Sequence, residues 1–231
     1  MNEVLENPVE LDVAALLFDL DGTLVDSSQS FALAMNQSLE KFGQLPMPTQ
    51  EMAQMISAGA RGIIRHAWSS PITFDQVEEV REDFVQRYEG IAVDGAYVYG
   101  QLLDVLNTAK STGIKVGIVT NKPEVLAKPV LNGLSLSPLV DVLICPDHVS
   151  EIKPNPEGIL LACEHLQVTP AQAVYVGDHL KDVQAAQRAG CLAIACGYGF
   201  KPNDEDSRQW GAQLHAQTPE DLEHILLDLI K

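Results

Sequence analysis

The chain has 231 residues, of which 46% are hydrophobic and 20% charged, and its formal net charge is −17. This length suits one large domain or one domain with a smaller insert, and the composition is that of a globular protein with a full core. So large a negative charge argues against a nucleic-acid-binding surface and against an anionic membrane as a partner, because both need a cationic patch. A small anionic substrate is not excluded, since one site can be locally positive on an acidic protein.

The cysteines and the N-terminus indicate a cellular compartment. The four cysteines form no CxxC pair and accompany no histidine cluster, so we expect them to be reduced and buried: Cys145, Cys163, Cys191 and Cys196. The first residues, MNEVLENPVELD, are acidic and lack the apolar core of a signal peptide, and no apolar run reaches the length of a membrane span. We therefore expect a cytoplasmic protein. Its oligomeric state does not follow from these features, and we expect either a monomer or a homodimer.

Short apolar runs alternate with helical patterns along most of the chain. The runs, which predict buried parallel strands, cover 14–20, 115–121, 140–145, 173–178 and 192–198. Helical apolar spacing covers 100–113, 156–166 and 180–190, and the tail 218–231 predicts a closing helix that Thr218 caps in a box with Asp221. Alternation of this kind predicts an α/β fold, a Rossmann-like, doubly wound parallel sheet with helices on both faces.

The interval 25–93 breaks the alternation. It contains no convincing strand, and its segments 30–43 and 73–90 have the spacing of amphipathic helices. We therefore predict an all-helical cap domain, 25–93, inserted after the first strand of an α/β core domain that comprises 1–24 and 94–231. Such an insert would lie over the carboxyl ends of the strands, where doubly wound sheets bind their ligands.

Polar side chains follow the predicted strands and should meet at that edge of the sheet. They are Asp19 and Asp21 after the first strand, Thr120 and Asn121 after the second, Lys153 after the third, and Asp178 with Asp182 after the fourth. Carboxylates with a lysine and without histidine or cysteine match Mg²⁺. Three ionised carboxylates against Mg²⁺ and one lysine leave the site close to neutral, so a phosphate dianion can enter. We predict Asp19 as the nucleophile that forms an aspartyl phosphate and Asp21 as the general acid and base.

Taken together, these segments resemble a known superfamily. DLDGTLVDS, VTN, KPNPE and GDHLKD are similar to the four motifs of the haloacid dehalogenase-like (HAD) hydrolases, in the subgroup with a helical cap after the first strand. The resemblance implies the same roles for Asp19 and Asp21, charge stabilisation by Lys153, and phosphate binding by Gly22, Thr120 and Asn121. It implies that Mg²⁺ is held by Asp19, Asp178 and the backbone carbonyl of Asp21, with Asp182 behind these ligands or as a further one. Paired aspartates are typical of the phosphatases rather than the dehalogenases.

A narrower resemblance concerns the substrate. SAGARGII, TNKP, LICPDHV and GYGFKPNDEDSRQWGA are similar to phosphoglycolate phosphatases and, more closely, to bacterial N-acetylmuramic acid 6-phosphate phosphatases. The implied partner is a small phosphorylated metabolite, either that sugar-acid phosphate or phosphoglycolate. The proline usual before the hinge is absent from AYVYGQLL, which leaves the stiffness of the hinge open.

Recognition of such a substrate calls for a cation in the cap. Among the basic residues of 25–93, Arg81 and Arg87 lie in an acidic helix, where solvated ion pairs are expected. Arg61 follows a run of small residues, and we predict that it binds the carboxylate or a sugar oxygen of the substrate.

Two other functions compete with a phosphatase. A β-phosphoglucomutase-like phosphomutase would use the same pair of aspartates, and phosphate release without a bisphosphate activator would distinguish the two. A receiver-like phosphate-binding module also collects acids, a threonine and a lysine at such an edge, but it has no large helical insert and no DxDGT.

Overall fold

A central parallel sheet organises the residues that the computed structural model describes, 12–202 and 205–231. Segment 1–11, for which we expect no signal peptide, and residues 203–204 of the late segment GYGFKPNDEDSRQWGA lie outside the described residues. The strands are β1 Ala15–Phe18, β2 Val25–Asp26, β3 Tyr97–Val98, β4 Lys115–Val119, β5 Val142–Ile144, β6 Ala173–Gly177, β7 Leu192–Cys196 and β8 Leu214–Ala216. The α-helices are α1 Ser28–Lys41, α2 Thr49–Ala53, α3 Gly59–Ala67, α4 Phe74–Ile91, α5 Leu102–Thr112, α6 Glu124–Gly133, α7 Glu157–Leu166, α8 Leu180–Ala189 and α9 Pro219–Leu229. Short 3₁₀ helices cover Ile56–Ala58, Ser137–Leu139, Pro146–His148, Pro170–Gln172 and Ser207–Gln209.

The sheet has the order β5-β4-β1-β6-β7-β8, and all neighbouring strands run parallel. β1 lies between β4 and β6, so that Leu17 pairs with Gly117 on one side and with Tyr175 on the other. The chain adds β4 and β5 on one side of β1 and the later strands on the other. This order confirms the predicted doubly wound α/β fold, and it opens a crevice at the carboxyl end of β1.

Both faces of the sheet are buried. Leu16 and Phe18 of β1 point into one apolar cluster, and Ala15 and Leu17 point into another on the opposite face. The first cluster continues beyond the sheet to Phe31 of α1 and to Phe84 and Tyr88 of α4, so the helices between β2 and β3 pack directly on this side. Whether 25–93 is a domain of its own stays a prediction.

The expectation that 25–93 contains no strand is wrong at its first two residues. Val25 and Asp26 form β2, which pairs antiparallel with Val98 and Tyr97 of β3. A pair of two-residue strands has no periodicity that a sequence could reveal, because it depends on a partner far along the chain. The edge strand β8 and helix α6, which contains Pro129, were also missed.

Several local predictions are confirmed. Thr218 accepts a hydrogen bond from the backbone N–H of Asp221 at 3.1 Å, and Asp221 accepts one from the N–H of Thr218 at 3.0 Å. Helices α5 and α8 end at Gly113 and Gly190 in the left-handed conformation. All four cysteines are free and buried.

Within the described ranges, no helix combines the length and the apolar character needed to cross a membrane.

The close approach of strands at Gly117 can be tested. A methyl group added there would lie 2.6 Å from Cδ2 of Leu17 and 2.9 Å from Cγ1 of Val142. We expect Gly117→Ala to lower the free energy of unfolding by about 1–3 kcal/mol through overpacking. Gly90→Ala in α4, which meets nothing within 4 Å, is the matched control and should be neutral or stabilising by up to about 1 kcal/mol. Urea denaturation of both variants measures the difference, and a Gly117→Ala variant as stable as Gly90→Ala would contradict it.

Candidate active site

The crevice at the carboxyl end of β1 continues into a cavity of about 440 Å³ between the sheet and helices α3 and α4. Most of the predicted site residues line it: Asp19, Asp21, Thr120, Asn121, Lys153, Asp178 and Arg61. Gly22 and Asp182 do not line it. Gly22 lies beneath Asp178, where a methyl group would come within 2.2 Å of Oδ2 of that carboxylate, and the φ of Gly22 is +82°. Only glycine fits this close contact without strain.

Lys153 is buried at the centre of the site. Its Nζ lies 3.0 Å from Oδ1 of Asp19 and 2.7 Å from Oδ1 of Asp182, and it donates to the carbonyl of Val119 at 2.9 Å and to the hydroxyl of Tyr175 at 2.8 Å. Burial lowers the pKa of this amine, but the charges of Asp182 and Asp19 outweigh burial and hold the pKa well above its usual value. Lys153 is therefore a permanent positive charge beside Asp19.

Three carboxylates meet beside that charge. Asp19, Asp178 and Asp182 each offer one oxygen, and these three oxygens lie within 4.8 Å of one another. Burial, together with the charges of Asp19 and Asp182, raises the pKa of Asp178 to about 8. Thr23 Oγ1 and the N–H of Phe200 donate to the two oxygens of Asp178 at 3.0 and 2.6 Å, which fixes the carboxylate in place. One lysine cannot balance this negative charge, and the oxygen-only donor set fits a divalent cation such as Mg²⁺.

Asp182 is committed to protein partners. Its Oδ1 pairs with Lys153, and its Oδ2 accepts the backbone N–H of His179 at 3.0 Å at the start of α8. The side chain is fully buried. Asp182 lies behind the other two carboxylates, where it binds Lys153 and does not line the cavity.

The two polar residues after β4 differ in their contacts. Asn121 exchanges two hydrogen bonds with the backbone of Lys153, both of 3.2 Å, so that its side chain fixes the loop carrying the lysine. Thr120 Oγ1 accepts the N–H of Lys122 at 3.1 Å. The side chain of Asn121 is thus occupied by Lys153, whereas the hydroxyl group of Thr120 can still donate a hydrogen bond to a ligand.

Lys122 is a site residue that the sequence analysis missed. Its Nζ donates to Oδ1 of Asp21 at 3.1 Å and to the hydroxyl of Tyr88 at 2.9 Å, and it lies 4.5 Å from the centre of the Tyr88 ring. Burial lowers the pKa of Lys122, and the charge of Asp21 more than offsets this, so the pKa is raised. Ser27 also donates to Oδ1 of Asp21. The sequence did contain a signal for Lys122, because this lysine lies within TNKP, directly after Thr120 and Asn121.

A second lysine, like Lys122, connects the edge of the sheet to the segment 25–93. Lys181, which follows the start of α8, lines the cavity and donates from Nζ to the backbone carbonyl of Ser57 at 2.8 Å. Lys122 and Lys181 thus connect the edge of the sheet to the helices of 25–93 at two separate points.

The two arginines that line the cavity both bind the carboxylate of Glu78. Arg61 donates from Nε and Nη2 to the carboxylate of Glu78, and Arg81 donates from Nε to the same carboxylate at 2.8 Å. The predicted ion pair of Arg81 is present, but Arg81 also lines the cavity, which the sequence analysis did not foresee. Because Arg61 and Arg81 both pair with Glu78, an ion pair does not distinguish the two arginines, and binding of substrate by Arg61 stays a prediction. Arg87 pairs with Asp83, as expected.

Comparison with known proteins identifies relatives over nearly the whole chain. The family model described as haloacid dehalogenase-like hydrolase matches residues 16–196. N-acetylmuramic acid 6-phosphate phosphatase of Pseudomonas aeruginosa is 33% identical over 213 residues, which cover 92% of this chain and 94% of the relative. Phosphoglycolate phosphatase of Xylella fastidiosa is 33% identical over 219 residues, covering 95% and 94%. The crystal structure of a predicted phosphoglycolate phosphatase from Haemophilus somnus shares the fold, with a TM-score of 0.85, 24% identity and coverage of 93% and 98%.

The raised pKa of Asp178 predicts how stability depends on pH. In the metal-free protein the folded state keeps a proton on Asp178 up to about pH 8, whereas the unfolded chain loses it near pH 4. The free energy of unfolding should therefore fall as pH rises between these values, by up to about 1.4 kcal/mol per pH unit. Asp178→Asn should lose this part of the slope. Urea denaturation in excess chelator measures both proteins, and identical slopes would contradict the assignment.

Proposed function

The chain belongs to the haloacid dehalogenase-like hydrolase family and is a phosphoric monoester hydrolase, and from this premise we propose that it cleaves a small phosphorylated metabolite through an aspartyl phosphate on Asp19, with Mg²⁺ as cofactor. We further propose that 25–93 is a cap over a core of 1–24 and 94–231. The cavity between them would enclose the leaving group.

The bonding of Asp19 carries this proposal. Both the N–H of Leu20, at 2.8 Å, and the ammonium of Lys153 engage Oδ1, while Oδ2 accepts no hydrogen bond from any described residue. One oxygen is thus held and the other is available to attack phosphorus from the cavity wall. Lys153 would offset the charge on the phosphoryl oxygens during transfer.

Asp21 has the same arrangement of one held and one available oxygen. Lys122 and Ser27 both engage its Oδ1, and no described residue donates to its Oδ2. A carboxyl group placed so beside the nucleophile can give its proton to the leaving oxygen and later take one from the attacking water. Lys122 and Ser27 would keep Asp21 oriented for both steps.

The cation would be held by the carboxylates of Asp19 and Asp178 and by the backbone carbonyl of Asp21. When bound, it would supply the positive charge that a phosphate dianion needs beside several carboxylates. Asp182 is left out of this set because, unlike Asp19 and Asp178, it does not line the cavity and its Oδ1 is paired with Lys153. In our proposal it positions Lys153.

The dimensions of the cavity favour the larger of the two candidate substrates. About 440 Å³ lies within the range of pockets that enclose drug-sized ligands, roughly 300–1,000 Å³. A two-carbon acid would leave most of this space empty, whereas a sugar acid with an N-acetyl group would fill it. We therefore propose a sugar-acid phosphate such as N-acetylmuramic acid 6-phosphate, in line with the name of the Pseudomonas relative.

The direct test is phosphate release from a panel that contains N-acetylmuramic acid 6-phosphate, phosphoglycolate and nitrophenyl phosphate. We expect turnover with Mg²⁺ that excess chelator abolishes. Asp19→Asn should lose nearly all activity while staying folded, because the uncatalysed reaction is so slow that enzymes accelerate it by up to roughly 10²¹-fold. Substantial turnover by Asp19→Asn would overturn the assignment of Asp19 as the nucleophile. Turnover that required a bisphosphate activator would indicate a phosphomutase.

The role of Asp21 predicts a dependence on the leaving group. In Asp21→Asn, phosphorylation by nitrophenyl phosphate should suffer less than phosphorylation by an alkyl phosphate, because nitrophenolate leaves without a proton. Hydrolysis of the aspartyl phosphate would still be slow, so a burst of nitrophenol is expected. Single-turnover kinetics with both substrates provide the measurement. Equal losses for the two leaving groups would show that Asp21 is not the acid.

A further inference from the structure

Helix α4 presents one face to the cavity along two turns. Arg81, Phe84 and Val85 line the cavity, and Tyr88, three residues further on, binds Lys122 beside Asp21. This spacing of three and four residues places all four side chains on the same side of the helix. The face therefore runs from the reaction centre at Tyr88 outward to Arg81.

The helix sets the distance between these two ends. Tyr88 lies seven positions after Arg81 in the sequence, and a rise of 1.5 Å per residue puts their backbones about 10 Å apart along the axis. Phe84 and Val85 lie between them, and Phe31, Ile56 and Leu126 add apolar surface to the same cavity. The middle of the cavity thus suits the body of a leaving group rather than a charge.

The outer end carries a net positive charge. One carboxylate, Glu78, accepts hydrogen bonds from two guanidinium groups, those of Arg61 and Arg81. The hydrogen bond from Arg61 lowers the pKa of Glu78 to about 2, with Arg81 contributing further, so Glu78 stays ionised. Two cations against one anion leave an excess of one positive charge at this end of the cavity.

Arg81 is the better placed of the two cations. Its side chain is 30% exposed, against 51% for Arg61, and only its Nε is engaged. Neither Nη atom of Arg81 donates to any of the described residues. Glu78 thus holds the guanidinium through its Nε while the edge formed by the two Nη groups stays available, which is the geometry that favours bidentate binding of a carboxylate.

We infer that Arg81, held by Glu78 and assisted by Arg61, is the specificity-determining residue that receives a carboxylate at the end of the leaving group opposite the phosphoester. This inference rests on the proposed phosphatase function and narrows its substrate class. The leaving group must carry an anionic group separated from the ester oxygen by an apolar or ring-sized body. Phosphoglycolate has only one carbon between its ester oxygen and its carboxylate, so it lacks this separation.

A matched pair of substrates isolates this contact. N-acetylglucosamine 6-phosphate is the same sugar phosphate as N-acetylmuramic acid 6-phosphate without the lactyl ether that bears the carboxylate. We expect the parent enzyme to favour the acid by ten- to a hundredfold in kcat/KM, the range of a charge-assisted hydrogen bond. Arg81→Gln should lose most of this preference by losing activity on the acid alone, chiefly through KM.

The control variant is Arg87→Gln. Arg87 lies on the same helix but pairs with Asp83 and Gln37 and does not line the cavity, so its substitution should leave the preference unchanged. Turnover of nitrophenyl phosphate in every variant checks that the reaction centre is intact. If Arg81→Gln destabilises the cap, Arg81→Lys, which keeps the charge, should restore part of the preference.

Each result decides the question. An unchanged preference in Arg81→Gln, or an equal loss on both sugars and on nitrophenyl phosphate, would overturn the role of Arg81. A parent enzyme that prefers phosphoglycolate, or that ignores the lactyl carboxylate, would overturn it as well. A parent that hydrolyses no phosphomonoester at all would instead refute the proposed function, so the two failures are distinguishable.

Discussion

Four oxygen atoms surround the ammonium group of Lys153, and they come from different parts of the fold. Asp19 follows β1, Val119 ends β4, Tyr175 belongs to β6, and Asp182 lies in the first turn of α8. Lys153 is 4% exposed, and a buried charge that loses one partner costs about 3–5 kcal/mol. Convergence of the three central strands on one charge therefore keeps the carboxyl edge of the sheet in a single arrangement, on which the geometry of Asp19 depends.

The same edge contains more negative charge than Lys153 can balance. Asp178 is held by Thr23 and by the N–H of Phe200, with Gly22 and Gly199 too close for any side chain. These contacts hold its carboxylate beside Asp19, and burial together with the charge of Asp19 raises its pKa. In the proposed function, this fixed excess of negative charge is what a divalent cation would balance, although the chain as a whole has a net charge of −17.

Two lysines at the edge of the sheet contact the segment 25–93 and so join the reaction centre to the helices that line the rest of the cavity. Lys122 binds both Asp21 and Tyr88, and Lys181 binds the carbonyl of Ser57. The connection between 25–93 and the sheet, which lacks the usual proline, carries contacts between tyrosines and their neighbours. There, Tyr97 of β3 donates from its hydroxyl to Asp26 of β2 at 3.1 Å. Tyr99, just beyond β3, packs on Tyr198 with ring centres 4.9 Å apart. In the proposed function, these contacts hold α4 where its inner face can meet the leaving group.

Much of the protein was determined by local sequence. Apolar runs of six or seven residues predicted the five main strands, and Thr218 with Asp221 predicted the start of α9. Acids placed directly after strands predicted which residues meet at the edge, because parallel strands end together. Tertiary structure alone decided the rest. β8 is a strand only because Leu214 pairs with Ile194, and Lys122 gains its place from Tyr88, which lies on another helix. Arg81 looks like any solvated arginine of an acidic helix, since its sequence neighbours do not reveal which face of α4 is turned toward the cavity. That orientation is set by the packing of Phe84 and Tyr88 against α1, a contact between distant segments that no local pattern encodes.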